Sequence, residues 1–137
     1  MRDQDGYTLT EMLVVIAVIG LIAAVLTPNL IGQLGRSRVK AAELQLQSVA
    51  AAIEMFQADN GRYPTSAEGL SALVSAPMDS NTWTGPYLKN TKMLKDPWGA
   101  PLIYNATGDG YSFTVGSLGA DGKSGGTGVN RDLQEVP

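Results

Sequence analysis

The chain contains neither cysteine nor histidine among its 137 residues. Without cysteine there is no disulfide framework, no thiolate metal site and no cysteine nucleophile. Without histidine, zinc sites of the usual kind, histidine acid–base catalysis and a Ser-His-Asp triad are excluded as well. No other group of residues in the sequence has a catalytic pattern, so we predict that the protein is not an enzyme. A small domain without disulfides needs another stabilising device, and a bound hard cation is one that this composition still allows.

Basic residues are also scarce. Ten Lys and Arg side chains are outnumbered by thirteen Asp and Glu, which gives a net charge of −3. Binding to nucleic acid phosphates requires a basic surface. We therefore exclude nucleic acid as a partner.

Charged residues are absent from the apolar run Met12–Leu26, which directly follows Glu11. As a helix this run would span roughly 22 Å, less than the ~30 Å hydrocarbon core of a bilayer, whereas one helix over residues 7–31 would be long enough. The sequence therefore predicts a transmembrane helix at 7–31, followed by a soluble head at 32–137. An ionised Glu11 beside hydrocarbon requires a partner or a functional role.

The residues from Gly6 onward read GYTLTEMLVVIAVIGLIAAVLTPNL. This stretch resembles the N-terminal motif of type IV pilins and pseudopilins, with Tyr7 where the family usually has Phe. The resemblance implies that residues 1–6 are a leader, that a prepilin peptidase cuts between Gly6 and Tyr7, and that Tyr7 is then N-methylated. It also implies that the helix is retained as membrane anchor and filament core. In that family Glu11 pairs with the N-terminal amine of Tyr7 on a neighbouring subunit during assembly.

Pro28 lies near the end of this helix and allows two interpretations. Because proline lacks a backbone N–H and crowds the preceding turn, it can kink or open the helix between Leu26 and Asn29. Alternatively, it begins a second helix at its first turn. Either arrangement permits a bend that would help a rod to pack into a filament, so we count Pro28 among the residues of assembly.

The segment Gly35–Ala58 is predicted to be an amphipathic helix, because apolar residues recur there at intervals of three and four. This stripe consists of Val39, Ala42, Leu46, Val49, Ile53 and Phe56. We expect it to pack on the sheet of the head, with the alternative that part of it contacts other subunits. The helix should stop at Asp59-Asn60-Gly61, since Asn and Gly tolerate a left-handed conformation.

The remainder of the head shows signals for a short helix and a small sheet. Thr65-Ser66-Ala67-Glu68 has the pattern of a capping box ahead of a helix through Val74. Residues 75–95 are predicted to be a loop anchored by Trp83 and Tyr87. Leu102–Asn105 and Tyr111–Val115 have strand composition and are joined through a turn at 107–110, which favours a hairpin. We therefore predict an α+β, type IV pilin-like fold: a long N-terminal helix, with its apolar half protruding, packed on a small antiparallel sheet.

Two further stretches make the resemblance more specific. Residues 59–65 (DNGRYPT) with 68–74 (EGLSALV), and the sequence Asp96-Pro97-Trp98-Gly99, are similar to the major pseudopilins, the protein G family of the general secretory pathway. The resemblance implies a subunit that polymerises into the periplasmic pseudopilus of a type II secretion system and drives export of folded proteins through the outer membrane. The implied location is a single pass through the inner membrane with the head in the periplasm. Implied partners are other copies, minor pseudopilins, the inner-membrane assembly platform and the prepilin peptidase.

The Gly-rich loop Ser117–Leu133 carries side-chain oxygens that suit calcium, which takes ~6–8 oxygen ligands. Its spacing does not match an EF-hand loop, so the residues by themselves also allow a flexible solvated loop. The family resemblance implies a calcium site here, with carboxylate ligands from Asp121 and Asp132 and main-chain oxygens from Leu118 and Lys123. Asn130 stands where relatives often have Asp, which keeps an oxygen ligand but removes a charge.

Two alternative functions remain open from the sequence. A type IV pilin of a surface fibre shares the N-terminal motif, but such pilins usually carry a C-terminal disulfide loop. A secreted binding domain or enzyme would be released by signal peptidase beyond the apolar run. Residues 1–6, with one Arg against two Asp, are a poor match to the positive start of an ordinary signal. Sequencing the N-terminus of the membrane-bound protein would separate these alternatives.

Overall fold

The computed structural model describes residues 6–78, 81–108 and 110–137. This part of the chain contains one long α-helix, three short 3-10 helices and three β-strands. The helix is α1 (Leu9–Asn60), the 3-10 helices are Gly69–Leu73, Thr91–Leu94 and Gly128–Asn130, and the strands are β1 (Ile103–Ala106), β2 (Phe113–Ser117) and β3 (Leu133–Glu135). The described residues up to Gly35 form one compact unit, and Arg36–Pro137 form a second unit. The leader predicted at 1–6 lies, except for Gly6, outside the described residues.

A single helix, α1, replaces the two helical segments predicted at 7–31 and 35–58. It ends at Asn60, two residues later than predicted, and Gly61 follows with a positive φ of 72°. The Gly61 N–H donates to the Gln57 carbonyl at 2.7 Å, which satisfies one of the carbonyls left open at a helix C-terminus. The predicted stop at Asp59-Asn60-Gly61 is confirmed.

The helix continues through Pro28 without interruption. The predicted opening between Leu26 and Asn29 is therefore wrong, and so is the interpretation that Pro28 begins a second helix. One proline removes one main-chain hydrogen bond, and a helix with apolar turns on both sides can absorb this loss, as membrane helices commonly do. A bend at this position stays a prediction.

The core of the second unit forms around the predicted stripe of α1. All six stripe residues are buried, and Ala52 is buried with them. They form one cluster with residues from the 3-10 helix Gly69–Leu73, the sheet and the segments between them: Leu70, Ala72, Leu73, Leu88, Leu102, Phe113, Val115 and Leu133. Edge-on aromatic contacts close the cluster, with ring centroids 5.6 Å apart for Phe56 and Tyr87 and 5.1 Å apart for Tyr63 and Phe113. The helix therefore packs on the sheet, as predicted.

The capping box at 65–68 is present, but the helix after it is shorter and tighter than predicted. The Thr65 N–H donates to Glu68 Oε2 at 2.7 Å, and the Glu68 N–H donates to Thr65 Oγ1 at 3.2 Å. Gly69 then has a φ of +60°, so an α-helix cannot run through it, and only a 3-10 helix ending at Leu73 forms.

Trp83 and Tyr87 anchor the segment 75–95 as predicted. The indole Nε1 of Trp83 donates to the Ala72 carbonyl at 2.8 Å, and its ring meets Tyr87 edge-on with centroids 5.9 Å apart. Both rings pack against the core cluster, as does the half-buried Trp98. The segment is less irregular than predicted, because it contains the 3-10 helix Thr91–Leu94, whose first turn is capped by Asn90.

The sheet is antiparallel in the order β1-β2-β3, with Tyr104 opposite Val115 and Ser117 opposite Leu133. The two predicted strands are present but begin one and two residues later. Leu102 instead donates its N–H to the Leu94 carbonyl, and residues 111–112 belong to the turn. Asp109 of the predicted turn lies outside the described residues. Strand β3 was not predicted: its first residue, Leu133, was assigned to the end of the Gly-rich loop, and no structure was predicted for the two residues after it.

Candidate functional site

The start of α1 is organised by Thr8 and Glu11. The Glu11 Oε2 accepts hydrogen bonds from the Thr8 N–H at 2.7 Å and from the Thr8 hydroxyl at 2.8 Å, while the Glu11 N–H donates to Thr8 Oγ1 at 3.2 Å. This is a capping box, in which two otherwise unpaired N–H groups at a helix start are satisfied. Gly6, Tyr7 and Thr8 precede the helix, and the Tyr7 side chain is exposed. The pattern Thr-x-x-Glu is the sequence signal for this box, which was not predicted.

Residues 12–35, here called the apolar segment, carry no charged side chain. As part of α1 the segment is about 36 Å long, enough to cross the hydrocarbon core of a bilayer. An 18-residue window of α1 has a mean hydropathy of 2.7, and none of that window is buried. Such a window also occurs in the core helices of soluble proteins, but there it is mostly buried. The segment therefore exposes an apolar surface that requires another partner.

Pro28 lies within the apolar segment, where α1 is continuous. On the residue directly before it, the Thr27 hydroxyl donates to the Ala23 carbonyl at 2.7 Å. The structure describes a single chain, so the roles predicted for Gly6, Tyr7, Glu11 and Pro28 in processing and assembly stay predictions.

The Gly-rich loop is closed on itself by main-chain contacts. The Ala120 N–H donates to the Val129 carbonyl at 3.0 Å, which joins the two arms of the loop. Gly126, with a φ of +96°, approaches so closely that a Cβ there would lie 2.6 Å from the Asn130 carbonyl oxygen. Asn130 ends the 3-10 helix Gly128–Asn130 and donates its N–H to the Thr127 carbonyl at 3.1 Å. Glycine is therefore required at the closest approach, where any side chain would clash.

Asp132 has one carboxylate oxygen that lacks a partner. Its Oδ2 accepts the Gly125 N–H at 2.9 Å, while its Oδ1 is buried and makes no hydrogen bond to any described residue. Leu118 and Asp132 line one small cavity of about 40 Å³ at the base of the loop. A buried anionic oxygen without a donor is costly unless a cation or a donor reaches it. This observation fits a cation ligand at Asp132.

Asp121 and Lys123 lie at the tip of the first arm, where the Lys123 N–H donates to Asp121 Oδ1 at 3.1 Å. Both residues are exposed, so Asp121 Oδ2 is open to a further ligand. Within the described residues there is no group of three or more Asp, Glu, His or Cys side chains placed to share a metal ion. A calcium ion here would therefore need main-chain carbonyl and amide oxygens as well, which is the mixture predicted from Leu118, Lys123 and Asn130.

An ion pair not predicted from the sequence ties the loop to α1. Arg131 donates from its guanidinium to Glu43, and Lys40 donates to the same carboxylate at 3.1 Å. The hydrogen bond from Lys40, and then the positive charge of Arg131, hold the pKa of Glu43 below its usual value. Glu43 and Arg131 are 88 positions apart, and no local pattern connects them.

Comparison with known proteins agrees with both parts of the chain. Residues 1–27 match the model of the prokaryotic N-terminal methylation motif, and residues 29–136 match the model of type II secretion system protein G. The chain is 38% identical over 136 residues to the type II secretion system core protein G of Pseudomonas aeruginosa, covering 96% of this chain and 94% of that protein. It is also 38% identical over 136 residues to the core protein G of Vibrio cholerae, covering 97% and 92%.

A solved structure has the same fold. The crystal structure of the major pseudopilin from the type 2 secretion system of enterohaemorrhagic Escherichia coli aligns with a TM-score of 0.60 and 28% sequence identity, over 79% of this chain and 94% of that chain. A methylation motif, a long helix with an exposed apolar half and a three-stranded sheet define the pilin-like class of subunits. Within that class, the chain belongs to the protein G family of type II secretion systems, whose members are major pseudopilins.

Proposed function

We propose that the protein polymerises into the periplasmic pseudopilus of a type II secretion system and that growth of this filament drives export of folded proteins through the outer membrane. The observation that carries the proposal is the apolar segment, whose described side chains at 12–27 and 30–34 are all exposed. A surface of this size needs apolar surroundings. The bilayer supplies them before assembly, and the helices of other copies supply them in the filament.

The same proposal includes proteolytic processing and methylation of the N-terminus. The prepilin peptidase would cut between Gly6 and Tyr7, and Tyr7 would be N-methylated; the match to the methylation motif and the exposed position of Tyr7 ahead of the helix support this. The mature protein would cross the inner membrane once, with residues 32–137 in the periplasm. Its partners would be other copies, minor pseudopilins and the inner-membrane assembly platform.

In the filament, Glu11 would pair with the N-terminal amine of Tyr7 on a neighbouring subunit. A carboxylate transferred from the membrane surface into a filament of apolar helices needs a positive partner, because an unpaired charge in such surroundings is strongly unfavourable. The mature amine of Tyr7 supplies one such charge per subunit. Proline at position 28 would let the helix adapt its curvature to its neighbours.

The second half of α1 offers a further contact surface within the second unit. One face is exposed and uncharged, with residues recurring at intervals of four and three, and we call this face the uncharged stripe. It consists of Ser37, Ala41, Leu44, Ser48, Ala51, Met55 and Ala58. Leu44 and Met55 are 53% and 59% exposed, so two large apolar side chains of this stripe are open to water. Small residues at this spacing let another helix approach closely, so neighbouring subunits would pack along this stripe.

We also propose a calcium ion in the Gly-rich loop, held by the carboxylates of Asp121 and Asp132, by main-chain oxygens of Leu118 and Lys123, and by Asn130. The unpartnered Asp132 Oδ1 supports this choice. When bound, the ion would neutralise the two carboxylates and hold together the two arms of the loop. The role is structural, and we propose no enzymatic activity for the protein; membership of a family of filament subunits supports this.

The assembly proposal is tested by producing the protein together with its secretion system. Mass spectrometry of the membrane-bound protein should find an N-terminus at N-methylated Tyr7, and electron microscopy should show filaments. A mature N-terminus beyond Ala24 would contradict the proposal, because the anchor would then have been removed.

The calcium proposal is tested on the full chain in detergent micelles. Calcium should raise the melting temperature relative to chelator, since a ligand at a hundred times its Kd stabilises the folded state by about 2.7 kcal/mol. Asp132→Asn should abolish the increase, whereas Asp59→Asn, the same change outside the loop, should retain it. Identical melting curves of the unaltered chain in calcium and in chelator would refute the site.

A further inference from the structure

Asp96 is a buried carboxylate that lies outside the Gly-rich loop. Its side chain is 5% exposed, although an ionised group is rarely buried unless its oxygens are paired. Oδ1 accepts the N–H groups of Trp98 at 3.0 Å and Ala100 at 2.9 Å. Oδ2 accepts the hydroxyl of Ser117 at 2.6 Å. The two oxygens therefore act on different parts of the chain: Oδ1 holds the turn after Asp96, and Oδ2 reaches the end of strand β2.

Ser117 is where that second hydrogen bond meets the Gly-rich loop. Its side chain is 2% exposed, and its Oγ accepts the Gly119 N–H at 3.2 Å while donating to Asp96. In the sheet, Ser117 stands opposite Leu133, which is the last residue of the loop. The Ser117 hydroxyl therefore lies where the Gly-rich loop leaves strand β2, next to the pairing of β2 with β3 that closes the loop.

Gly119 couples the position of Ser117 to the opposite arm of the loop. With a φ of +72°, it lies so close to that arm that a Cβ would be 2.7 Å from the Arg131 carbonyl oxygen. The next residue, Ala120, donates its N–H to the Val129 carbonyl. A shift of the 117–120 backbone would therefore displace residues 129–132, which include Asn130 and Asp132.

We propose that Asp96 is a positioning residue for the calcium site: through Oδ2 and the Ser117 hydroxyl it fixes the geometry of the two arms that carry the ligands. This inference rests on the calcium site proposed above. The turn at 96–100 uses Oδ1 alone, so the hydrogen bond from Ser117 is not needed for that turn. Outer hydrogen bonds that orient ligands typically change metal affinity by about 10- to 100-fold when removed.

The test is calcium titration calorimetry on the full chain in detergent micelles, comparing Ser117→Ala, Asp96→Asn and the unaltered protein. Ser117→Ala removes the link but leaves the turn, and we expect its calcium Kd to rise at least about 10-fold. Asp96→Asn keeps an oxygen for the turn and can still donate to Ser117, so we expect a smaller rise. The double variant should bind no more weakly than Ser117→Ala, since both changes act through one hydrogen bond.

Leu73→Ala is the matched control, because Leu73 is fully buried in the core and lies outside the loop. It should lower the melting temperature without changing the calcium Kd. The proposal would be overturned if Ser117→Ala and Asp96→Asn had unchanged calcium Kd values and lowered melting temperatures, as in the control. Asp96 would then stabilise the fold without affecting the calcium site. Should Ser117→Ala fail to fold, the Kd of Asp96→Asn decides. If the unaltered protein binds no calcium, the site itself fails, which is distinct from the first outcome.

Discussion

Thr8 and Glu11 satisfy each other's polar groups at the start of α1, with the Glu11 carboxylate 2.7 Å from the Thr8 nitrogen. The carboxylate on which assembly is proposed to depend therefore already has hydrogen-bond donors within its own subunit. Both hydrogen bonds are accepted by Oε2, which leaves Oε1 and the negative charge of the carboxylate for a neighbouring subunit. What it can supply is an opposite charge.

Glu11→Gln separates the contribution of the capping box from that of the negative charge. Glutamine also forms a capping box at this position, so the helix start should be retained while the negative charge is lost. We expect the variant to insert into the membrane and to be processed, but to form no filaments in electron micrographs. Thr8→Ser, which keeps both the cap and the charge, is the control and should assemble. Normal filaments from Glu11→Gln would show that the cap, and not the charge, is what Glu11 provides.

A charge in the uncharged stripe tests the packing of neighbouring subunits. Ala51→Glu places a carboxylate on the exposed face of α1 at a position where glutamate is a good helix former. The stability of the subunit should change by no more than ~0.5 kcal/mol, whereas filament yield should fall because the charge would be desolvated between subunits. Ala76→Glu introduces the same charge at an exposed alanine outside the stripe and should leave filament yield unchanged. Equal filament yields from both variants would show that the uncharged stripe does not lie between neighbouring subunits.

Phe56 and Met55 are adjacent on α1 but face opposite environments, since Phe56 is fully buried and Met55 is exposed. Phe56→Ala should lower the free energy of unfolding by about 3–5 kcal/mol, through lost burial and the cavity left behind. Met55→Ala should change it by at most ~0.5 kcal/mol. Denaturant unfolding of the full chain in mild detergent, followed by tryptophan fluorescence, measures both, because Trp83 and Trp98 both belong to the second unit. A similar loss of unfolding free energy for the two variants would contradict the assignment of Phe56 to the buried face of α1 and of Met55 to the exposed uncharged stripe.

Glu68 makes stability depend on acid pH. Two hydrogen bonds from the Arg62 guanidinium, each 2.7 Å long, together with the Thr65 N–H and hydroxyl, lower the pKa of Glu68 from 4.5 to about 2. Because the folded-state pKa is the lower one, the stabilisation is fully present above pH 4.5 and is lost as the pH falls towards 2. Denaturant unfolding between pH 5 and about pH 2 should therefore show falling stability.

Glu68→Gln should flatten this dependence and lower stability at neutral pH by ~1 kcal/mol, the upper range for an ion pair near the surface. Arg62→Lys keeps the positive charge but cannot donate the two parallel hydrogen bonds of a guanidinium. Its stability at neutral pH should therefore lie between those of the unaltered protein and Glu68→Gln. A pH dependence in Glu68→Gln as steep as in the unaltered protein would assign the acid sensitivity to other carboxylates.

Local patterns in the sequence predicted most of the second unit. The stripe from Val39 to Phe56 has helical periodicity, and the Thr65–Glu68 box and the Gly61 stop are short motifs with a direct physical cause. Pro28 was misjudged because intrinsic propensity was given more weight than the length of helix on either side. Gly69 determined the 3-10 geometry through its positive φ, which the sequence does not reveal.

The missed features are those that depend on distant pairing. Strand β3 has three residues and exists because β2 offers it hydrogen bonds, so it has no signal of its own. The contacts of Asp96 with Ser117 and of Glu43 with Arg131 join residues that are 21 and 88 positions apart. The ligands named for the Gly-rich loop stay a prediction, and the sequence could not show that one oxygen of Asp132 would be left without a donor.

The order of the sheet gives the Gly-rich loop a second consequence. Strand β2 is central only because β3 returns beside it after the loop, and β3 is held by three residue pairs. If the loop loosened, β3 would detach and the β2 backbone around Val115–Ser117 would become an open edge. Open edges recruit strands from other molecules. A disordered loop would therefore expose the subunit to irregular aggregation in competition with ordered polymerisation.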